Sequence, residues 1–288
     1  MFVITGATGT IGRVAVQLLH EAGQPVAAVT RSRESAGLPE GVRLVGGDPS
    51  RPASLAEGLA ELGGLEAVLI SPRAVGEATG ELLELAARHG AKRVVVISAV
   101  TVEYGGGYER FAAGFRAVEQ AAAGSGLPWT FLRCADFAAN SLAWAPQIRA
   151  TGVVRGAYPE ATTSPIHERD VAAVAVRALT GAHPEDAGAA HALTGPAPLT
   201  QRDRVRIIGE AVGVPLDFVE VTPEAVRRAM LAQGVPADAP DRALGYQRTC
   251  VDHPGPTTDT VHRLLGRPAL PFATWADDHA AVFRPQTA

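Results

Sequence analysis

The chain has 288 residues, of which 47% are hydrophobic and 19% charged, and its formal net charge is −4. That size and apolar content support one large α/β domain, or a cofactor domain with a smaller appended lobe, and the slight negative charge gives no argument for nucleic acid or an anionic membrane, neither of which is expected as partner. Two cysteines are too few for a disulfide framework, no apolar stretch approaches a membrane span, and Met1 leads straight into Phe2-Val3-Ile4, so a soluble cytoplasmic protein is expected.

Short apolar runs rich in β-branched residues alternate with longer helix-period segments through the first half. In chain order the pattern predicts strand Phe2–Thr5, helix Ile11–Ala22, strand Pro25–Thr30, strand Val42–Val45 and helix Ser54–Leu62. Strand Ala67–Ile70, helix Gly76–His89, strand Arg93–Ser98, helix Tyr108–Ala123 and strand Trp129–Arg133 follow. Gly23, Gly90 and Gly124 or Gly126 stand where helix C-terminal glycines belong. Such repetition predicts an α/β fold, a Rossmann-type doubly wound parallel sheet with right-handed crossovers.

After about residue 135 prolines punctuate shorter elements: helix Arg169–Leu179, strand Ala190–Leu193 and helix Gln201–Val212, then helical stretches near Pro223–Gln233 and Thr257–Leu265. Asp238–Pro256, rich in Pro, Asp and Gly, is expected to be mostly loop. The expected division is a cofactor-binding core over residues 1–150. A mixed segment over 151–288 returns elements to that core and forms a smaller, mostly helical C-terminal substrate lobe.

The most informative stretch is Thr5-Gly6-Ala7-Thr8-Gly9-Thr10-Ile11-Gly12-Arg13. Gly6 permits a tight turn off the first strand, Gly9 lets backbone approach a pyrophosphate, and Gly12 lets helix pack closely on strand. The helix opening near Thr10 points free N–H groups and its positive dipole end at the phosphates. Placed between a strand and an apolar-periodic helix, the loop predicts dinucleotide binding through Gly6, Thr8, Gly9, Thr10, Ile11 and Gly12. At the end of strand two, Val29-Thr30-Arg31-Ser32-Arg33 carries two arginines and no acid before Glu34. A carboxylate there would hold a ribose 2′-hydroxyl, whereas Arg31 and Arg33 suit a 2′-phosphate, so NADP(H) is expected over NAD(H).

The spacing is G-x-x-G-x-x-G, and here the sequence resembles the NmrA-like group of atypical short-chain dehydrogenase/reductases, which includes quinone and triphenylmethane-dye reductases. Gly47-Asp48 matches the group's adenine-contacting pair, which implies that role for Asp48. Ser98, Glu119, Ser125–Arg133, Phe137, Asn140, Ser164–His167 with Asp170–Ala172, and His191–Gly195 extend the likeness over most of residues 1–213. Ser71-Pro72-Arg73 follows strand four, beside the expected nicotinamide ribose.

The Tyr-x-x-x-Lys pair of the best-known short-chain dehydrogenases is absent: Ala112 stands four residues after Tyr108, and Tyr108 four after Tyr104. Without a neighbouring lysine a phenol has no evident reason to titrate near neutrality. Related NmrA-like reductases also lack the pair, which implies direct hydride delivery from NADPH to an electron-poor acceptor. Relatives often carry histidine where this chain has Phe115, a departure that removes a proton-donating or orienting group from the expected pocket.

Ser98 and Tyr104 are the candidate catalytic residues, Ser98 counting also as cofactor-binding with Ser71 and Pro72. Tyr104, Cys134, Phe137, Asn140 and Trp144 are candidates for the substrate pocket, at or beyond the C-terminal ends of strands five and six. Tyr158 could add an aromatic wall, although core packing is as good a reading for each aromatic. Ser98 could equally cap a turn, and Cys134 could be a small buried hydrophobe. His167 and Asp170 look like an acid–base pair, yet Asp170 at a helix start reads first as a cap. The other histidines lack metal-ligand spacing, and no metal is expected.

The expected function is an NADPH-dependent oxidoreductase acting on a small conjugated acceptor such as a quinone, enone or dye, the chain being a monomer or homodimer. The alternatives are an NADP(H)-binding redox sensor and a cofactor-dependent isomerase.

Overall fold

A computed structural model of the chain describes residues 1–32, 37–105 and 109–284. Among these lie nine strands: β1 (Phe2–Ile4), β2 (Val26–Thr30), β3 (Arg43–Gly46), β4 (Ala67–Ile70), β5 (Val94–Ala99), β6 (Trp129–Cys134), β7 (Val153–Gly156), β8 (Ala189–Leu193) and β9 (Asp217–Glu220). Seven of them form one sheet in the order β3-β2-β1-β4-β5-β6-β8, every pair parallel. The order reverses at β1, as a doubly wound sheet requires. β7 and β9 pair in parallel as a separate ribbon.

The described chain divides into two compact units that interleave in sequence. One comprises Met1–Val102, Ala113–Cys134 and Glu168–Leu193, the other Glu103–Ala112, Ala135–His167 and Thr194–Ala288. In the first unit β1, β2, β4 and β5 are buried along their whole length, because a parallel sheet is covered on both faces. On one face Val3, Val29, Val68, Ile70, Val94 and Val96 pack with Leu82, Leu83 and Val118 of the helices Thr79–Arg88 and Glu109–Ala123. Helix Glu168–Thr180 packs on β4, β5 and β6 and against helix Thr10–Glu21. The expected Rossmann-type sheet is therefore observed, and residues 168–193 supply its last helix and strand.

The second unit is mostly helical, around a core of Ile148, Val154, Ile208, Phe218, Phe272, Trp275 and Phe283. Its helix Gln201–Val212 starts with a reciprocal capping box, in which Thr200 N donates to Asp203 Oδ2 at 3.0 Å and Asp203 N to Thr200 Oγ1 at 3.0 Å.

One segment corrects the sequence expectation. Most of Asp238–Pro256 is not loop but the helix Ala239–Asp252. Pro240 sits in its first turn, where a missing N–H costs nothing, and Pro254 and Pro256 lie beyond its end. Ala239, Pro240, Leu244 and Cys250 give it a buried face. At the end of the helix Glu109–Ala123, Gly126 rather than Gly124 takes the left-handed turn, with φ +77°. Tyr108, expected to open that helix, lies outside the described residues. No described helix is long and apolar enough to cross a membrane.

Candidate functional site

The glycine loop is built by close backbone approaches. At Gly6 φ is +62°, and a Cβ there would stand 2.8 Å from the Ser71 Cβ. A Cβ on Gly12 would overlap the Gly6 carbonyl, so helix and turn come together only without a side chain. Gly9 N donates to Gly6 O at 2.9 Å, closing the turn. Thr5, which sequence reasoning did not single out, anchors it. Its buried Oγ1 donates to Leu69 O at 2.8 Å and accepts from Ser71 N at 2.8 Å. Two neighbouring strand ends thus meet beneath the loop, and Ser71 leads into the short helix Pro72–Val75.

Helix Thr10–Glu21 begins after an extended Gly9, with no side-chain cap and no acid in its first turn. The first four N–H groups of a helix lack intrahelical partners. Here Thr8, Gly9 and Thr10 are exposed, while Ile11 and Gly12 are buried. An uncapped helix N-terminus, open on the outside and crowded by backbone within, fits a pyrophosphate.

Arg31 is exposed at the end of β2, where Thr30 Oγ1 accepts from Ser32 N at 3.2 Å and donates to Ser32 O at 2.9 Å. Arg33 lies outside the described residues. Gly47 N donates to Thr30 O at 3.0 Å, which draws the end of β3 beside that of β2. The next residue, Asp48, accepts at Oδ1 from Ser50 N and Oγ at 3.0 and 2.8 Å. Those bonds, then the Arg31 and Arg51 guanidiniums, hold its carboxyl below the usual carboxylate range.

Ser98 is 2% exposed at the end of β5, directly opposite Arg133 of β6. Its Oγ donates to Glu119 Oε1 at 2.6 Å, and Arg133 grips the same carboxylate with Nε at 3.0 Å and Nη2 at 2.8 Å. The Ser98 proton is engaged in this buried network. Cys134, at the end of β6, is wholly buried, and burial pushes its thiol pKa up.

Tyr104 is 51% exposed. Desolvation, then the charge and hydrogen bond of Glu103, raise its phenol pKa above the ordinary value. Phe137 bridges to Ile166 and precedes the 3₁₀ segment Ala138–Trp144. Asn140 Nδ2 donates to Asp136 Oδ1 at 2.5 Å, and Arg204 Nη1 donates to Asp136 Oδ2 at 2.6 Å. Asp136 and Arg204 escaped the sequence reading, since no spacing joins them. Trp144 packs against the second unit's core. Tyr158 is the non-glycine residue with positive φ among those described (55°), and Gln201 Nε2 donates to its carbonyl at 2.7 Å. His167 Nε2 lies 3.2 Å from Asp278 Oδ2, and Asp170 falls in the first turn of helix Glu168–Thr180. Among the described residues no cluster of three His, Cys, Asp or Glu is arranged to hold a metal ion.

A parallel sheet whose first strand empties through crowded glycines into an uncapped helix defines a dinucleotide-binding protein. Comparison with known proteins narrows this. A family model described as NAD(P)H-binding matches residues 6–182. A (4-alkanoyl-5-oxo-2,5-dihydrofuran-3-yl)methyl phosphate reductase of Streptomyces griseus is 36% identical over 288 residues, covering 99% of this chain and 100% of that protein. An NAD(P)H azoreductase of Xenophilus azovorans is 32% identical over 291 residues, covering 98% of this chain and 99% of its own. The crystal structure of an NADPH-dependent quinone oxidoreductase from Escherichia coli superposes with a TM-score of 0.79 at 23% identity, covering 96% of this chain and 99% of that one. This chain belongs to the NAD(P)H-binding family, among its NmrA-like atypical short-chain dehydrogenase/reductases, and is an oxidoreductase.

Proposed function

We propose that the protein is an NADPH-dependent reductase that passes hydride directly to a small conjugated acceptor, with an enone-type carbon–carbon double bond the leading candidate. The full-length relative from Streptomyces griseus carries this reading. The compound in its name is a dihydrofuranone whose ring double bond is conjugated to both the ring carbonyl and the alkanoyl group. Bound NADPH would supply the hydride, and the protein would orient the two partners.

The side chains support this division of labour. The phenol pKa of Tyr104 and the thiol pKa of Cys134 are both raised, and the Ser98 proton is held by Glu119. None of the three is prepared as an acid–base catalyst near neutral pH. The glycine loop would hold the pyrophosphate. Arg31 beside an acid-free strand end would favour the 2′-phosphate of NADPH.

The test is consumption of NADPH, followed by absorbance, across a panel of unsaturated lactones, enones, quinones and azo dyes. Turnover concentrated on conjugated acceptors is the expected result. Tight NADPH binding with no turnover on any of them would overturn the reading and favour a redox sensor.

A further inference from the structure

Arg13 follows the last glycine of the loop and occupies the first turn of helix Thr10–Glu21. Its exposed guanidinium joins two separate loops. Nη1 donates to Gly37 O at 2.6 Å, and Nη2 donates to Thr8 O at 3.3 Å. Thr8 belongs to the glycine loop, whereas Gly37 belongs to the connection that leaves β2 through Arg31. Gly37 takes φ +55°, and a Cβ there would stand 3.3 Å from Arg13 Nη1. In a Rossmann-type fold the adenosine ribose is recognised beyond the end of the second strand.

Stability does not account for an arginine here. Bonds from an exposed guanidinium are weak contributors. The position is also electrostatically adverse, because a cation in the first turn opposes the positive end of the helix dipole. Among the described residues no carboxylate pairs with Arg13, and the first turn holds no acid. A positive charge added to a positive helix end becomes favourable when an anion is expected beside it.

We propose that Arg13 is a specificity-determining positioning residue for NADPH. Its two-carbonyl bridge ties Gly37 to Thr8 of the glycine loop. Its charge adds to the field that a ribose 2′-phosphate meets. The inference rests on the NADPH reading above.

The experiment measures dissociation constants for NADPH and NADH, by fluorescence titration, in the wild type, Arg13→Ala and Arg13→Lys. In Arg13→Ala the preference for NADPH should fall roughly tenfold or more, the scale of one charge-assisted bond, while NADH affinity holds within about threefold. Arg13→Lys keeps the charge but cannot span both carbonyls, and should recover only part of the preference. Arg13→Gln serves the same comparison if the alanine variant does not fold. A wild type that prefers NADPH while Arg13→Ala keeps the whole preference, or loses both cofactors equally, overturns the inference alone. Full recovery by Arg13→Lys overturns the bridge. A wild type that binds both cofactors alike overturns the NADPH reading itself, and the inference with it.

Discussion

Ser98 Oγ lies 2.6 Å from Glu119 Oε1, and Arg133 completes the buried trio from the adjacent strand. A serine at a strand end thus has a structural task that accounts for its burial. Ser98→Ala should cost about 1–2 kcal/mol, because Arg133 still satisfies the carboxylate. Glu119→Ala should cost more, about 2 kcal/mol or above, because it takes the carboxylate away from a largely buried guanidinium. Urea unfolding at unchanged m-value reads both, and a larger loss for Ser98→Ala would invert the roles argued here.

Gly9 and Gly12 should separate binding from folding. A Cβ on Gly9 meets only Gly6 O, at 3.2 Å, and otherwise faces the open side where a pyrophosphate would rest. Gly9→Ala should therefore stay folded and weaken NADPH binding by about tenfold or more. A Cβ on Gly12 overlaps the Gly6 carbonyl, so Gly12→Ala should lower the stability of the apoprotein by about 1–3 kcal/mol. Circular dichroism and cofactor titration distinguish the two outcomes.

Tyr104 bears on pH dependence. Its pKa is raised, so the protonated phenol is favoured, and it ionises only above the ordinary value near 10. The kcat/KM profiles of wild type and Tyr104→Phe should run parallel from about pH 6 to 9, within a factor of ~10² of each other. A wild-type limb that disappears in Tyr104→Phe would identify a dedicated proton donor.

Asp136 and Arg204 hold the second unit together. Arg204 is 5% exposed, donates to Asp136 Oδ2 at 2.6 Å and also bonds the Thr163 hydroxyl. Arg204→Ala should cost about 3–5 kcal/mol, since Asp136 would lose its counter-charge and keep only the neutral donors Asn140 Nδ2 and Thr163 Oγ1. Thermal unfolding of the two variants Arg204→Ala and Asp136→Asn checks whether the loss follows the pair.

The sheet was legible because buried parallel strands and amphipathic helices write their periods into the chain, as Val94–Ala99 and Thr10–Glu21 do. Gly6 and Gly12 were legible because each answers a backbone demand that only glycine meets. Ala239–Asp252 was not, since Pro240, Pro254 and Pro256 look alike in sequence although one starts a helix and two follow it. Polar pairings across long separations were equally silent. Arg13 to Gly37 spans 24 residues and Arg204 to Asp136 spans 68, and neither leaves a periodic trace. Tyr158 shows in sequence only as an aromatic, and its left-handed backbone follows from tertiary bonds such as that from Gln201.

The most direct test of the account follows the hydride itself. NADPH carrying deuterium in place of both hydrogens at the nicotinamide C4 position would be turned over with an α,β-unsaturated lactone, and the product examined by NMR. The account predicts deuterium on the lactone β-carbon and a saturated carbon–carbon bond, with the second hydrogen drawn from water. Deuterium on the carbonyl carbon, or a product free of label while NADPH is consumed, would contradict direct delivery to the conjugated bond.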